Sequence, residues 1–433
     1  MSQAINIFVW YLVGTFVGVI ALPLVFRFFP SLPSRGFALA RPLGLLIWGF
    51  TFWLLASFGV LQNDLGGQVL AVLIMLAFSL AELKGTRKDA LLTWLRQNLR
   101  TVLTIEGLFL FVFLAWVLVR GMNPEVAYTE KPMELAFINS ILRSTSFPPQ
   151  DPWLSGYAIS YYYFGYVMVA MLTRFSGVAA ATAFNLANAS WLAMTAVALY
   201  GIVFDLSLAG AWNSHHQTAK QVEKFARRAG FLGPLFVLLL STYEGVLEIL
   251  HAGGLFWKVD PQGQLSSRFW NWLSILDLNQ PPTQPFDWIP SRGGGWLWWR
   301  GSRVLQDLNL GGQHIEVIDE FPFFSYLLAD LHPHVLAMPF TLLAIALAMN
   351  LFFDGGTYLQ QSRRLLDWAR NENFWLIALV LGSLGFINTW DFPIYVGLFC
   401  LIWSFKSYRA TGWKPGLLAE FLKNGLALGV AGM

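Results

Sequence analysis

Charge is what this chain has least of. Lys, Arg, Asp and Glu make up 12% of its 433 residues, about half of what a soluble domain carries. So few ionised groups cannot cover a water-facing surface, and a hydrophobic content of 56% needs lipid as its solvent. Cysteine is nearly absent. Cys400 stands alone in an apolar run, which excludes an intrachain disulfide and leaves the compartment unreported by cysteine usage. No Walker loop, Rossmann glycine pattern or Ser-His-Asp signature occurs, so transport driven by cytosolic ATP is not indicated. No internal repeat is visible. The net charge of +3 comes mostly from basic loops between apolar runs and does not point to nucleic acid.

What is present is apolar length. A helix needs about 20 apolar residues to cross about 30 Å of hydrocarbon. Ten runs qualify: 5–26, 42–60, 67–83, 101–120, 179–206, 231–251, 321–353, 373–390, 392–405 and 416–433. The first is too long for a signal-peptide core and lacks a small-residue cleavage site, so it reads as a retained helix. The fold expected is all-α, a polytopic membrane helical bundle of about ten spans. Basic residues follow every second run: Arg27, Arg35 and Arg41, then Lys84 to Arg100, Lys220 to Arg228, Arg363 to Arg370, and Lys406 to Lys414. That alternation places these loops on the cytoplasmic side. Residues 158–175 are short and begin Tyr-rich, so they read as a juxtamembrane helix at the outer surface, with a tilted short span as the alternative. Two long outer loops result, 121–178 and 252–320. The second carries Trp270, Trp272, Trp296, Trp298 and Trp299 around Gly293–Gly295, a density suited to headgroups. The chain ends inside an apolar run, as a truncated product would.

The unusual polar residues gather on the outer side of this topology. The segment Phe147–Trp153, running into Tyr161–Tyr166, is rich in proline and aromatics and is preceded by Glu125, Glu130 and Glu134. Glu130 and Glu134 lie one helical turn apart after Pro132, at the aqueous edge. They can hold a cation or act as a general base, or they can simply favour a helix start. Asp151, framed by Pro149 and Pro152, is either an aimed carboxylate or a plain turn. Glu320, then Asp330, His332 and His334, stand in or beside a membrane run. Insertion there costs roughly 2.5–3.5 kcal/mol per ionised group, so they suggest a metal or phosphate site, or else a satisfied polar helix end. Asn388, Trp390 and Asp391 form a turn that is either a cap or part of the same site. Glu244, Glu248 and His251 can line a cavity or fray at an interface.

Several of these segments resemble a known family. Phe147-Pro148-Pro149-Gln150-Asp151-Pro152-Trp153, Tyr161-Tyr162-Tyr163-Phe164-Gly165, Glu320-Phe321-Pro322-Phe323-Phe324-Ser325, Asp330-Leu331-His332-Pro333-His334 and Asn388-Thr389-Trp390-Asp391 resemble the uncharacterised membrane family named for its YYY signature. The resemblance covers roughly residues 100–410. That family is grouped with the GT-C glycosyltransferases, which use polyprenyl-phosphate-linked sugars outside the cytoplasm.

The resemblance implies a GT-C-like bundle whose extracytoplasmic loop carries juxtamembrane helices. It implies that residues 1–100 are an N-terminal three-helix extension to a core of 101–433. It also implies an outward-facing site in a prokaryotic cell membrane, with the lipid bilayer, a polyprenyl-phosphate sugar and an unidentified acceptor as partners. Glu130 and Glu134 lie near the position of the usual acidic motif, although they are four residues apart and not a compact pair. Glu134, Glu130 and Asp151 are then the catalytic candidates. A divalent cation such as Mg or Mn would be held by Glu130, Asp151 and His332. Lys131 and Arg303 are candidate phosphate contacts. Tyr161, Tyr162, Tyr163, Glu320, Asp330, His334, Asn388, Trp390 and Asp391 are candidates for substrate binding. The rival is a transporter or flippase in which Asp330, His332 and Glu244 form an ion or proton relay.

Overall fold

Nearly every apolar run becomes a helix. The computed structural model describes residues 2–211, 218–283, 297–354 and 370–433. The expectations for Gly293–Gly295, Trp296, Arg363 and Arg364 lie outside the described residues. The helices are α1 (Gln3–Phe28), α2 (Ala40–Ser57), α3 (Leu65–Glu82), α4 (Thr86–Gln97), α5 (Leu99–Met122), α6 (Lys131–Arg143), α7 (Phe164–Ser176), α8 (Ala180–Ala211), α9 (Ala219–Ala229) and α10 (Leu232–Pro234). After a π-helical turn, Leu235–Leu240, follow α11 (Glu244–Ala252), α12 (Arg268–Leu273), α13 (Leu297–Gly301), α14 (Pro322–Leu328), α15 (Pro333–Phe353), α16 (Glu372–Ile387), α17 (Asp391–Thr411) and α18 (Gly416–Gly432). Two antiparallel ribbons are the only described sheets, β1 (Lys258–Val259) with β2 (Leu265–Ser266) and β3 (Gln306–Leu308) with β4 (His314–Glu316).

Among the described residues, six helices are long and apolar enough to cross a membrane: α1, α2, α3, α5, α8 and α15. There are seven if Ala219–Leu240 and Glu244–Ala252, a pair bent at its break, count as one span. This is an all-α membrane protein. The runs at 373–390, 392–405 and 416–433 are helical as α16, α17 and α18 without meeting the same test of length and apolarity.

The chain divides into two compact units, Met1–Pro234 with Ala329–Met433, and Leu235–Leu328. Residues 1–100 are bonded into the first unit: Arg41 of α2 pairs with Glu106 of α5 at 2.5 Å, and its guanidinium covers the Phe109 ring.

The first unit is organised around α8. Trp10, Trp116 and Trp191 each offer one indole N–H in an apolar setting, where an unmet donor is costly. Trp10 donates to Ser190 Oγ at 2.8 Å, Trp116 to Asn188 Oδ1 at 2.7 Å and Trp191 to the Leu336 carbonyl at 2.9 Å. These bonds tie α8 to α1, α5 and α15. A further tie ends α1. Asp205 of α8 is buried and accepts from both the Ser34 backbone N–H and hydroxyl at 2.7 Å. Asp205→Ala strands both donors, at about 1–3 kcal/mol each. Thermal unfolding in detergent should show that loss, and Asp205→Asn, which keeps an acceptor, should recover most of it. Equal stability of all three proteins would remove Asp205 as the tie.

α7 is packed inside the first unit. Phe164 through Thr173 are all buried, by neighbours that include α1, α2, α6 and α8. Its first-turn tyrosines suggested an interface, but its remaining apolar faces are covered by protein and not by lipid.

The first unit has two chemically distinct ends. Arg27 of α1 lies 3.9 Å from Glu82 of α3 and 3.4 Å from Glu372 of α16, while Lys406 lies 3.7 Å from Asp354. At the other end stand the loop after α5, α6 and the turn before α15. The 21 residues of α15 separate His334 from Asp354 by about 30 Å. Cys400 is buried, so labelling can report on introduced cysteines. Cysteines at the exposed positions Lys88 and Glu125 should label from opposite sides of the membrane. Labelling of both from one side would contradict the alternation of basic loops.

Candidate functional site: a carboxylate and histidine cluster

α6 is fixed at its end before it presents its beginning. Its C-terminal carbonyls need donors. Asn63 Nδ2 donates to the Ile141 and Ser144 carbonyls at 2.6 and 2.7 Å, and Arg174 Nη2 donates to the Leu142 carbonyl at 2.5 Å. Arg174 Nη1 also donates to Asn63 Oδ1 at 2.7 Å, locking the clamp. At the other end Pro132 sits in the first turn, after Glu130 at the N-cap position.

Two chain segments meet there, both bent through unfavourable backbone. Tyr128 and Thr129 precede α6 with φ of 63° and 51°, and Ala329 precedes Asp330 with φ of 66°. Side chains with a Cβ rarely adopt this region, least of all a β-branched threonine. The strain is offset by a bond across the two segments, Thr129 Oγ1 donating to Asp330 Oδ1 at 2.6 Å. A second crosses beneath it, the Leu331 N–H donating to Glu134 Oε2 at 2.7 Å.

The two glutamates end in different environments. They share a helix turn, the Glu134 N–H donating to the Glu130 carbonyl at 3.1 Å. Glu130 remains 49% exposed at its side chain, with Oε2 3.3 Å from His332 Nε2. Glu134 is fully buried, and its Oε1 has no hydrogen-bond partner. Burial therefore separates Glu134 from the aqueous edge expected for both, while Glu130 keeps an exposed side chain. Burial raises the Glu134 pKa well above the ordinary carboxylate range, helped by the charges of Asp330 and Glu130 and opposed by the Leu331 N–H and Lys131. Lys131, also buried, is lowered by desolvation and by Arg120, while Asp330 and Glu134 act to raise it. The Tyr161 hydroxyl is pushed up to about 12 by burial and by the charges of Glu130 and Glu134.

The histidines extend the cluster. His332 Nδ1 and His334 Nδ1 are 2.7 Å apart, so one nitrogen carries the proton and the other accepts it. His334 is in electrostatic reach of Asp391, whose Oδ2 accepts from Asn388 Nδ2 at 2.9 Å. The structure thus brings together Glu130, Lys131, Glu134, Tyr161, Asp330, His332, His334, Asn388 and Asp391. Trp390 is 76% exposed beside them in sequence.

Other expected members have bonds of their own. Asp151 Oδ1 accepts the backbone N–H groups of Trp153 and Leu154, both at 2.8 Å, so it shapes its own turn. Arg303 and Glu320 belong to the second unit. There Arg303 pairs with Glu316 at 2.5 Å and lies over the Trp299 ring, and Glu320 accepts from Ser325 Oγ at 2.7 Å. Glu248 pairs with Arg300 at 2.6 Å, and His251 meets the Gln280 carbonyl at 2.7 Å. The metal set of Glu130, Asp151 and His332 is not assembled. Among the described residues no group of three or more His, Cys, Asp or Glu side chains can hold a metal ion.

Arg120 is a member that the sequence does not announce. One residue from Gly121 near the end of an apolar helix, it reads as a snorkelling cation. It is instead buried, donates through Nε to Asn185 Oδ1 at 2.9 Å, and faces Asp330 and Lys131 electrostatically, with Nη2 unpartnered.

An apolar groove of about 660 Å³ runs along the first unit, from Phe28, Glu82 and Glu372 to Trp53, Phe164 and Phe386. Those last three residues also line a cavity of about 80 Å³ walled by Tyr161, Tyr162 and Tyr163. The Tyr161 ring stacks on Phe137 at 5.5 Å and meets Tyr162 at 5.2 Å, while Tyr163 Oη accepts from Trp53 Nε1 at 3.2 Å.

The fold and the cluster define a membrane protein of helices with a buried acid beside a histidine pair. The chain belongs to the family described as uncharacterized membrane protein (DUF2298), which it matches over residues 47–433. No curated protein and no solved structure matches it.

Proposed function

We propose that the chain is a GT-C-type glycosyltransferase of a prokaryotic cell membrane. In this reading ten spans place the cluster on the extracytoplasmic side, and a sugar passes from a polyprenyl phosphate to an acceptor hydroxyl or amide. The kinship with the YYY-signature proteins belongs to the same proposal. The observation that carries it is the apolar groove meeting the tyrosine-walled cavity, since Tyr161 of that cavity feels the charges of Glu130 and Glu134. A long lipid tail suits such a groove, and its phosphorylated sugar would then lie beside carboxylates, a lysine and histidines.

Glu130 is the base of choice because it is the exposed carboxylate, and His332 orients it. The acceptor gives its proton to Glu130 as its oxygen or nitrogen attacks the anomeric carbon. The bond from that carbon to the phosphate oxygen breaks with inversion, and the lipid phosphate leaves with the electron pair. Lys131 and Arg120 supply positive charge near the leaving group. Glu134 positions the Asp330–His332 segment through the Leu331 N–H. No step is routed through a divalent cation, since the expected ligand set is not assembled.

The test is the lipid fraction of cells lacking the protein, in which a sugar-bearing polyprenyl phosphate should accumulate. An unchanged lipid-linked sugar pool would count against transfer. The transporter reading has its own support in the bent helix pair around the π-helical turn and the buried Glu244 and Glu248, features of ion pathways.

A further inference from the structure

The basic end of the first unit holds a second cavity, which shares Glu82 alone with the apolar groove. It measures about 230 Å³ and lies between the end of α1, the loop to α2, the end of α3 and the start of α4. Arg27, Arg35 and Arg87 line it, against one carboxylate, Glu82, with Leu83 and Leu91 as its apolar wall. Glu82 is already engaged by both Arg27 and Arg87. Arg27 also reaches Glu372 at 3.4 Å. Arg35 differs. Its guanidinium is half-buried over the Phe26 ring at 5.0 Å and has no hydrogen-bond or ion-pair partner among the described residues. Five N–H donors in a part-desolvated cavity, with the lining charge net positive, call for an anion with several acceptor oxygens.

The surroundings say which anion. α4 joins two candidate spans at their shared end, and Arg87, Lys88 and Arg96 are exposed on it beside an exposed Leu92. Such a helix lies in the headgroup layer. Its Trp94 packs on Phe26 and Phe37, the first of them the ring beneath Arg35. A cavity that is cationic at one wall and leucine-lined at the other matches a phosphate carried on an apolar stem. We propose that this cavity is a phosphate-binding site, filled by the headgroup of an anionic phospholipid or by free phosphate.

The test is native mass spectrometry of the full chain in detergent, titrated with dioctanoyl phosphatidylglycerol, dioctanoyl phosphatidylcholine or inorganic phosphate. The wild type should retain one phosphatidylglycerol in preference to phosphatidylcholine. Arg35→Gln should weaken retention about tenfold, as for loss of a charge-assisted hydrogen bond. Arg87→Gln, at a side chain 55% exposed, should weaken it without threatening the fold. Glu82→Gln removes the competing carboxylate and should tighten it. Lys414→Gln, exposed and outside the cavity, should change nothing. Displacement of the lipid by millimolar inorganic phosphate assigns free phosphate as the ligand, and failure to displace it assigns the headgroup. Equal retention by wild type, Arg35→Gln and Arg87→Gln would overturn the site, as would equal retention of the two lipids or weaker retention by Glu82→Gln.

Discussion

Glu130→Gln should lower sugar transfer by about 10²–10⁴-fold, the range for losing a general base. The fold should survive, because the side chain is 49% exposed and a glutamine can still meet His332. His332→Gln should have a smaller effect of the same sign, since it disturbs the orientation of the base and leaves the carboxylate in place. Both effects should fall on the transfer step, so binding of the lipid-linked sugar in the groove should persist. Full activity in Glu130→Gln would take the acceptor's proton away from this residue and weaken the reading of the whole cluster.

Glu134→Gln should behave in the opposite way, becoming more stable than the wild type as pH rises. An acid whose pKa is raised on folding keeps its proton in the folded chain when the unfolded chain has released it. Stability then falls as pH climbs above the ordinary value of 4.5 and keeps falling until the raised value is passed. The limiting slope for one proton is about 1.4 kcal/mol per pH unit. Glutamine has no proton to lose, and its oxygen can still accept from Leu331, so the variant escapes this loss. Melting temperatures in detergent should diverge as pH rises above the ordinary carboxylate range, until the raised value is passed, with the variant higher at the alkaline end. A gap that does not change with pH would mean that Glu134 is ionised in its buried site. Transfer activity should drop far less in Glu134→Gln than in Glu130→Gln, while Glu134→Ala, which strands the Leu331 N–H, should lose activity through disorder of the Asp330–His332 segment.

The sequence was most legible where length and apolarity decide. The runs behind α1, α3, α5 and α8 match the observed helices within a few residues, because a helix that must satisfy its backbone without water has few alternatives. The cluster was legible in part. The i,i+4 acids and the Asp-Leu-His-Pro-His segment are unusual enough in an apolar chain to mark themselves, and they do meet. Their difference in burial was not legible, since it depends on Leu331, some 197 residues along the chain, covering one acid and not the other. Arg120 was hidden for a similar reason. Its local sequence is that of an ordinary helix end, and its bond to Asn185 and the nearby charge of Asp330 appear only in the folded chain. The burial of α7 was not legible, because periodicity and tyrosine content cannot distinguish a lipid-facing surface from a protein-facing one. Asp151 drew attention through its flanking prolines, which serve the turn itself.

The most direct test of lipid-linked sugar transfer uses the purified chain in proteoliposomes with a labelled polyprenyl-phosphate sugar and a panel of acceptors. The account predicts release of free polyprenyl phosphate together with labelled acceptor, and loss of both in Glu130→Gln. Wild-type protein that releases no polyprenyl phosphate with any acceptor, while moving protons or the intact lipid across the bilayer, would contradict it.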